Sequence, residues 1–387
     1  MPSSGQLLLF VAAAVSLCSA ASQTVTIPAY GQCGASTVTA DCSSGSYCQS
    51  QNAYYWQCVP GTATTAVSSS LSTSVTSSTS SKTYATTTSA KTSSKTSVAT
   101  TSSKASSSTS ATSSSTPAAD GTKYLVVFGD SYSSTGFYIQ GGYPSASDPI
   151  GQPALPGTTT TGGLNWVGMV TSEFNSSLTL TYDWAYYGAD TDASIVYSYA
   201  TYCFDDQVGE FEDAIVPAPT EAPWAADNSL AVVWIGINDV GEAFWENIEL
   251  PLDAIMTRYW GLMQDLYDDG LRDFVIMTVP PFDQAPVFAE QTASALAGLQ
   301  GNISAYNEAL ESNLATFKSN NTNVKAQLFN TSSYFWTALD NPTAYGATDA
   351  TCMNSDGTTC LWYDDYHPGQ AIHKLVAEGL VSAVDFF

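Results

Sequence analysis

"VVFGDSYSSTGF", residues 126–137, is the stretch on which the reading of the fold turns. An apolar run of β type stops at Gly129-Asp130-Ser131 and continues in small hydroxyl residues. Two readings compete. Ser131 is either a nucleophile presented at the end of a strand or an ordinary turn residue, and only partners elsewhere in the chain can decide between them.

Further apolar runs of β type lie at 178–185, 230–239, 272–281 and 323–330. Helical patterns run over 251–269 and 291–318, and a last helix is expected after Pro368. Strands alternating with helices predict an α/β domain with a parallel sheet covered on both faces. Ligands in such sheets sit beyond the carboxyl ends of the strands. Ser131, Gly188 and Asn238 are each expected there.

The chain has only two histidines, His367 and His373. In "WYDDYHPG" (362–369) His367 stands directly before a proline that opens a helix, with Asp364 three residues earlier. A turn there folds the Asp364 carboxylate back to the imidazole, fixing its tautomer and stabilising the imidazolium. Asp365 is expected to point away, and His373, inside the helix, reads as a structural or surface residue. An oxyanion needs preorganised donors, which the Ser131 N–H, a glycine N–H and the Asn238 amide would supply.

Composition divides the rest. Residues 7–17, "LLLFVAAAVSL", have signal-peptide length, and small residues suit cleavage after Ala20 or Ala21, so residues 1–21 are expected to be removed on secretion. Residues 61–119 are almost entirely Ser, Thr and Ala, too polar to form a core, and read as an O-glycosylated linker of roughly 40 Å as a bare coil. Asn175, Asn302, Asn320 and Asn330 stand in glycosylation sequons. No other run is long and apolar enough to span a bilayer, and the charged C-terminal "AIHKLVAEGLVSAVDFF" is no lipid-anchor signal.

Residues 22–60 hold Cys33, Cys42, Cys48 and Cys58, and a unit this small needs staples to stay folded. Spacing alone leaves three pairings open. "YGQCG" (30–34) and "GSYCQSQNAYYWQC" (45–58) resemble the fungal family one cellulose-binding module. That resemblance implies a small disulfide-rich β fold with Cys33 paired to Cys48 and Cys42 to Cys58. It also implies a flat cellulose face of Tyr30, Tyr54 and Tyr55 with Asn52 and Gln57 as hydrogen-bonding helpers. Apolar sugar faces stack well on such rings. The short "ASTVTA" (35–40) departs from the family pattern.

Residues 120–387 hold 34 of the 35 acidic residues but only 6 of the 10 basic ones, a formal balance of −28. Nucleic acid and anionic membranes are repelled by such a field, which leaves a neutral substrate. "FGDS" (128–131), the glycine of "WAYYGAD" (184–190), "GIND" (236–239) and "DDYHP" (364–368), in that order, resemble the blocks of the GDSL or SGNH hydrolases. The resemblance implies a flavodoxin-like three-layer α/β/α domain. In it Ser131 is the nucleophile, His367 the base, Asp364 its orienting acid, and Gly188 with Asn238 the oxyanion hole, without metal or cofactor. Gly163 in "GGLNWV" (162–167) rivals Gly188. Ser134 stands where many lipolytic relatives keep an Asp, and "FGDSYSSTGF" with "GGLNWV" looks like the fungal acetylesterases of carbohydrate esterase family sixteen.

Asp130 and Asp239 read as hydrogen bonders that fix loops. Tyr132, Trp166 and Phe137 are divided between lining a sugar site and packing, while Trp234 reads as core. Cys352 and Cys360 are expected to form a disulfide that stiffens the loop carrying Asp364 and His367. Cys203 is then unpaired, and no basic neighbour in sequence would activate it. Two histidines six apart make a poor zinc site. The expected protein is a secreted monomeric esterase that deacetylates acetylated hemicellulose oligosaccharides, on acetylated xylan or other acetylated oligosaccharides, while anchored to cellulose. The rivals are a lipase or phospholipase acting on longer acyl chains and a catalytically silent cellulose-binding protein.

Overall fold

The computed structural model describes residues 121–387 and, before them, position 44 and the backbone of four short strands. These are β1 (Gln32–Ala35), β2 (Val38–Thr39), β3 (Ser46–Ser50) and β4 (Trp56–Pro60), in an antiparallel sheet of order β2-β1-β4-β3. The expected signal peptide, the linker and the rings of Tyr30, Tyr54 and Tyr55 lie outside the described residues, as does Asn52. So do Cys42 and the side chains of Gln57, Cys33, Cys48 and Cys58, and with them both cystine pairings.

Five strands build the large sheet: β5 (Lys123–Gly129), β6 (Thr179–Asp183), β7 (Ser229–Trp234), β8 (Asp273–Met277) and β9 (Lys325–Phe329). All pair in parallel, in the order β6-β5-β7-β8-β9. β6, β7 and all but the first residue of β5 are buried throughout, because helices cover both faces and no residue has a wet side to turn to. β9 alternates exposed Lys325 and Gln327 with buried Ala326 and Phe329, as suits an edge strand.

One helical layer holds α1 (Trp166–Ser172), α6 (Ser332–Leu339) and α7 (Gln370–Ala383), with α7 packed on the other two. On the other side α4 (Leu252–Asp268) packs against α2 (Phe204–Ile215) and α5 (Ala293–Asn320), and α5 also meets α3 (Ile237–Trp245). The result is a three-layer α/β/α domain. Strand order reverses at β5, which opens a crevice between the carboxyl ends of β5 and its neighbours.

The expected strand over 230–239 is shorter than its apolar run. β7 stops at Trp234, and Gly236, at φ +128°, turns the chain into α3, so Asn238 lies in the first turn of a helix. Only glycine relaxes into that conformation, and the Tyr306 ring lies where a side chain on it would go.

Candidate active site

Three loops converge because their strands are in register. The Gly129 carbonyl accepts the Tyr186 N–H at 3.0 Å, and Gly129 lies opposite Trp234 in the ladder. Ser131 and Gly188 are therefore both two residues past the same hydrogen bond, and Asn238 lies four residues past Trp234.

The Ser131 turn is held from several sides. The Asp130 carbonyl accepts the N–H groups of Ser133 and Ser134 at 3.0 and 2.9 Å, and its Oδ1 accepts that of Tyr132 at 2.9 Å. Thr160 Oγ1 donates to the Ser131 carbonyl at 2.7 Å. Gln207 clamps Gly129 from α2, its Oε1 accepting the Gly129 N–H at 3.0 Å and its Nε2 donating to the carbonyl at 2.8 Å. Asn165, the N-cap of α1, donates from Nδ2 to the carbonyls of Ser133 and Ser134 at 2.6 and 3.1 Å.

His367 reaches this turn from the loop before α7. Tyr363 donates its N–H to the His367 carbonyl at 2.8 Å, Gly369 to that of Leu361 at 2.7 Å, and Tyr132 Oη to that of Tyr366 at 2.7 Å. His367 Nε2 lies 2.9 Å from Ser131 Oγ, and its Nδ1 lies 2.9 and 2.8 Å from the two carboxylate oxygens of Asp364. Asp364 Oδ1 also accepts the N–H groups of Tyr366 and His367 at 2.9 and 2.7 Å. A carboxylate held this way requires a proton on Nδ1, which leaves Nε2 to accept from the serine.

Electrostatics follow the geometry. Burial pulls the His367 imidazole down, but the charge and hydrogen bond of Asp364, backed by Asp365 and Asp130, reverse this and leave it above its ordinary value. Burial would raise Asp364, yet His367 and the two backbone N–H groups hold it below the usual carboxylate range. Burial, with a smaller push from the charge of Asp239, raises Asp130 to about 7 against the Tyr132 N–H and His367. Asp365 makes no hydrogen bond to His367, while its carbonyl accepts the Val287 N–H at 2.8 Å.

Gly188 has φ +73°, and the nearest atoms to a Cβ built on it are 3.9 Å away, on Ala200. Asn238 Nδ2 donates to the Ala189 carbonyl at 3.0 Å, which ties this turn to α3 and leaves one amide hydrogen. Neither the Ser131 nor the Gly188 N–H donates to another described group. Gly163 packs under the Gln370 amide, where a Cβ on it would come within 2.6 Å. The turn that Asn238 reaches is thus that of Gly188.

Other expectations sort by contact. Asp239 fixes a loop, accepting the Thr191 N–H at 3.1 Å and its hydroxyl at 3.2 Å. Tyr132, Trp166 and Trp234 are fully buried, and Phe137 packs edge-on to Tyr182 and Trp184, so all four pack rather than line a sugar site. His373 is buried and neutral, pushed down to about 3 by burial and the neighbouring His367, with Nδ1 3.4 Å from the Trp166 N–H. Ser134 is buried, and its Oγ accepts the Gly136 N–H at 3.2 Å, which makes it part of the turn.

Cys352 and Cys360 are bonded, with Cα atoms 5.0 Å apart. Cys203 is free and buried, and burial pushes its thiol up to about 12. No group of three or more potential metal ligands exists among the described residues. Thr160, Asn165 and Gln207 were not anticipated. The one signal available for Gln207 was a polar residue on the apolar stripe of Phe204, Val208, Phe211 and Ile215.

The profile of the GDSL-like Lipase/Acylhydrolase family matches residues 125–380. An acetylesterase of Thermothelomyces thermophilus is 51% identical over 271 residues, 68% of this chain and 88% of its own. An acetylesterase of Hypocrea jecorina is 26% identical over 174 residues, 41% of this chain and 48% of its own. Among solved structures, an acetylxylan esterase of Geobacillus stearothermophilus aligns with a TM-score of 0.42 and 15% identity over 68% of this chain and 95% of its own.

Proposed function

The chain belongs to the GDSL-like lipase and acylhydrolase family and is a carboxylic ester hydrolase; on that premise we propose that it is a secreted serine acetylesterase acting on acetylated hemicellulose oligosaccharides. The observation that carries this reading is the 2.9 Å approach of His367 Nε2 to Ser131 Oγ, backed by Asp364, in a chain 51% identical to an acetylesterase over 271 residues.

Ser131 Oγ attacks the acetyl carbonyl as Nε2 takes its proton, and Asp364 stabilises the imidazolium that forms. Negative charge on the carbonyl oxygen is received by the N–H groups of Ser131 and Gly188 and the spare hydrogen of the Asn238 amide. His367 then protonates the sugar oxygen as its bond to the acetyl carbon breaks, and the sugar leaves as the alcohol. In the second half it takes a proton from the water that attacks the acyl-serine and returns it to Ser131 Oγ as acetate leaves.

The N-terminal part supports a setting. A signal peptide over 1–21, a cellulose-binding module over 22–60 and a linker over 61–119 would hold the domain of 120–387 beside hemicellulose. Tethering raises its effective concentration at the fibre. The strongly negative charge of the domain accords with a neutral substrate.

The test is a substrate panel: acetylated xylo-oligosaccharides and long-chain acyl esters, each with wild type and Ser131→Ala. Acetate release by wild type, with Ser131→Ala lower by about 10⁴ or more, is the expected result. Activity confined to long acyl chains would overturn the substrate. Acetate release surviving in Ser131→Ala would overturn the mechanism.

A further inference from the structure

Residues 192–203 leave the catalytic crevice and return to it as a loop whose ends are tied together. The Phe204 N–H donates to the Asp190 carbonyl at 2.9 Å and the Asp205 N–H to that of Thr191 at 3.3 Å. Arg258, on α4, closes the neck, with Nε 2.9 Å from Asp192 and Nη2 3.2 Å from Asp205. Asp192 is fixed further by the N–H and hydroxyl of Ser194, at 2.8 and 2.6 Å. A surface loop with joined ends packed on its own side chains is a stable unit able to present a surface.

Its apex lies on Gly188. Ser198 Oγ donates to the Gly188 carbonyl at 3.2 Å and accepts the Ala200 N–H at 3.2 Å, and Ala200 is the nearest neighbour on the open side of the glycine. On each side of Ser198 stands a tyrosine. The rings of Tyr197 and Tyr199 meet edge to face at 4.9 Å, and Tyr197 is 61% exposed, the most exposed large apolar side chain among the described residues. Tyr202, from the same loop, lies edge-on to Tyr186 at 5.1 Å, two residues before Gly188. The loop thus gathers three tyrosines, Tyr197, Tyr199 and Tyr202, within four residues of the serine bonded to Gly188, and aromatic surface gathered at a candidate site marks a ligand face.

We propose that this loop is the sugar platform of the active site. Tyr197 and Tyr199 stack a pyranose ring of the oligosaccharide whose acetyl carbonyl sits at Ser131, and Ser198 links that contact to Gly188. The proposal rests on the acetylesterase reading and names the residues that give it a carbohydrate preference. Flat rings held edge to face offer a rigid face to the C–H side of a neutral sugar, and the acidic domain around them disfavours anionic ligands.

The experiment compares kcat/KM on acetylated xylotetraose with kcat/KM on 4-nitrophenyl acetate, which carries no sugar. Replacing both rings, Tyr197→Ala with Tyr199→Ala, is expected to lower the oligosaccharide-to-small-ester ratio roughly ten-fold, chiefly through KM. Phenylalanine at both positions should restore most of it. An unchanged ratio in the alanine pair would overturn the proposal, as would an equal fall on both substrates, which marks a structural role. Wild type that cleaves 4-nitrophenyl acetate but no acetylated oligosaccharide would overturn the substrate reading itself and this inference with it.

Discussion

At the scale of single residues the site depends on what each polar atom has left to give. Asn238 spends one amide hydrogen on the Ala189 carbonyl, and that bond aims the other. Truncation, Asn238→Ala, removes a donor that strengthens only as negative charge develops. It should lower kcat by about 10²–10³ with KM within a few fold, measured by steady-state acetate release. A raised KM with kcat intact would assign the amide to ground-state binding instead. Asp364 and His367 were legible because their spacing is local: a three-residue turn needs no knowledge of the rest of the fold. Thr160 and Asn165 were not, since a lone hydroxyl or amide reaching across 29 or 32 residues leaves no periodic trace. Ser134 has changed meaning. Its hydroxyl is buried and accepts the Gly136 N–H, so it belongs to the turn itself.

At the scale of elements, every expected strand is present within a few residues, as are the helices over 252–268, 293–320 and 370–383. Long apolar runs and long amphipathic stripes survive any packing. The short helices α1, α3 and α6 escaped because two turns carry too little periodicity, and α3 was hidden in the apolar run that opens with β7. α2 does carry a stripe, and its buried Gln207 is what couples that helix to the end of β5. Gln207→Leu keeps the burial and strips the Gly129 N–H of the Gln207 Oε1 acceptor. The expected cost is about 1–3 kcal/mol in urea unfolding, together with a fall in kcat as the Ser131 turn loosens. Stability unchanged from wild type would show that the clamp does not hold β5.

At the scale of the whole molecule, the domain buries acids that most proteins leave outside. Asp130, Asp183 and Glu242 are all pushed up to about 7, in each case by burial first. Below that value the folded chain keeps protons that the unfolded chain, with ordinary carboxyl groups, has already released. Folding is therefore favoured in acid, and this contribution is lost as pH rises through about 7. Asp364, held low, affects stability only in stronger acid, and His367, held high, acts in the same direction as the raised acids. Calorimetry should find Tm several degrees higher at pH 5 than at pH 8, and a Tm that climbs over that interval would contradict the assignment. The site shares this pH logic with the opposite sign. His367 must be neutral to accept the serine proton, so rate rises where stability declines. The rate depends on Ser131 Oγ being the atom that carries the acyl group. The direct measurement is an acid quench during turnover of an acetylated oligosaccharide, followed by peptide mapping by mass spectrometry. The account predicts a single acetyl group on the peptide containing Ser131, absent in Ser131→Ala, whereas an acetyl group on any other residue, or turnover by Ser131→Ala near the wild-type rate, would contradict it.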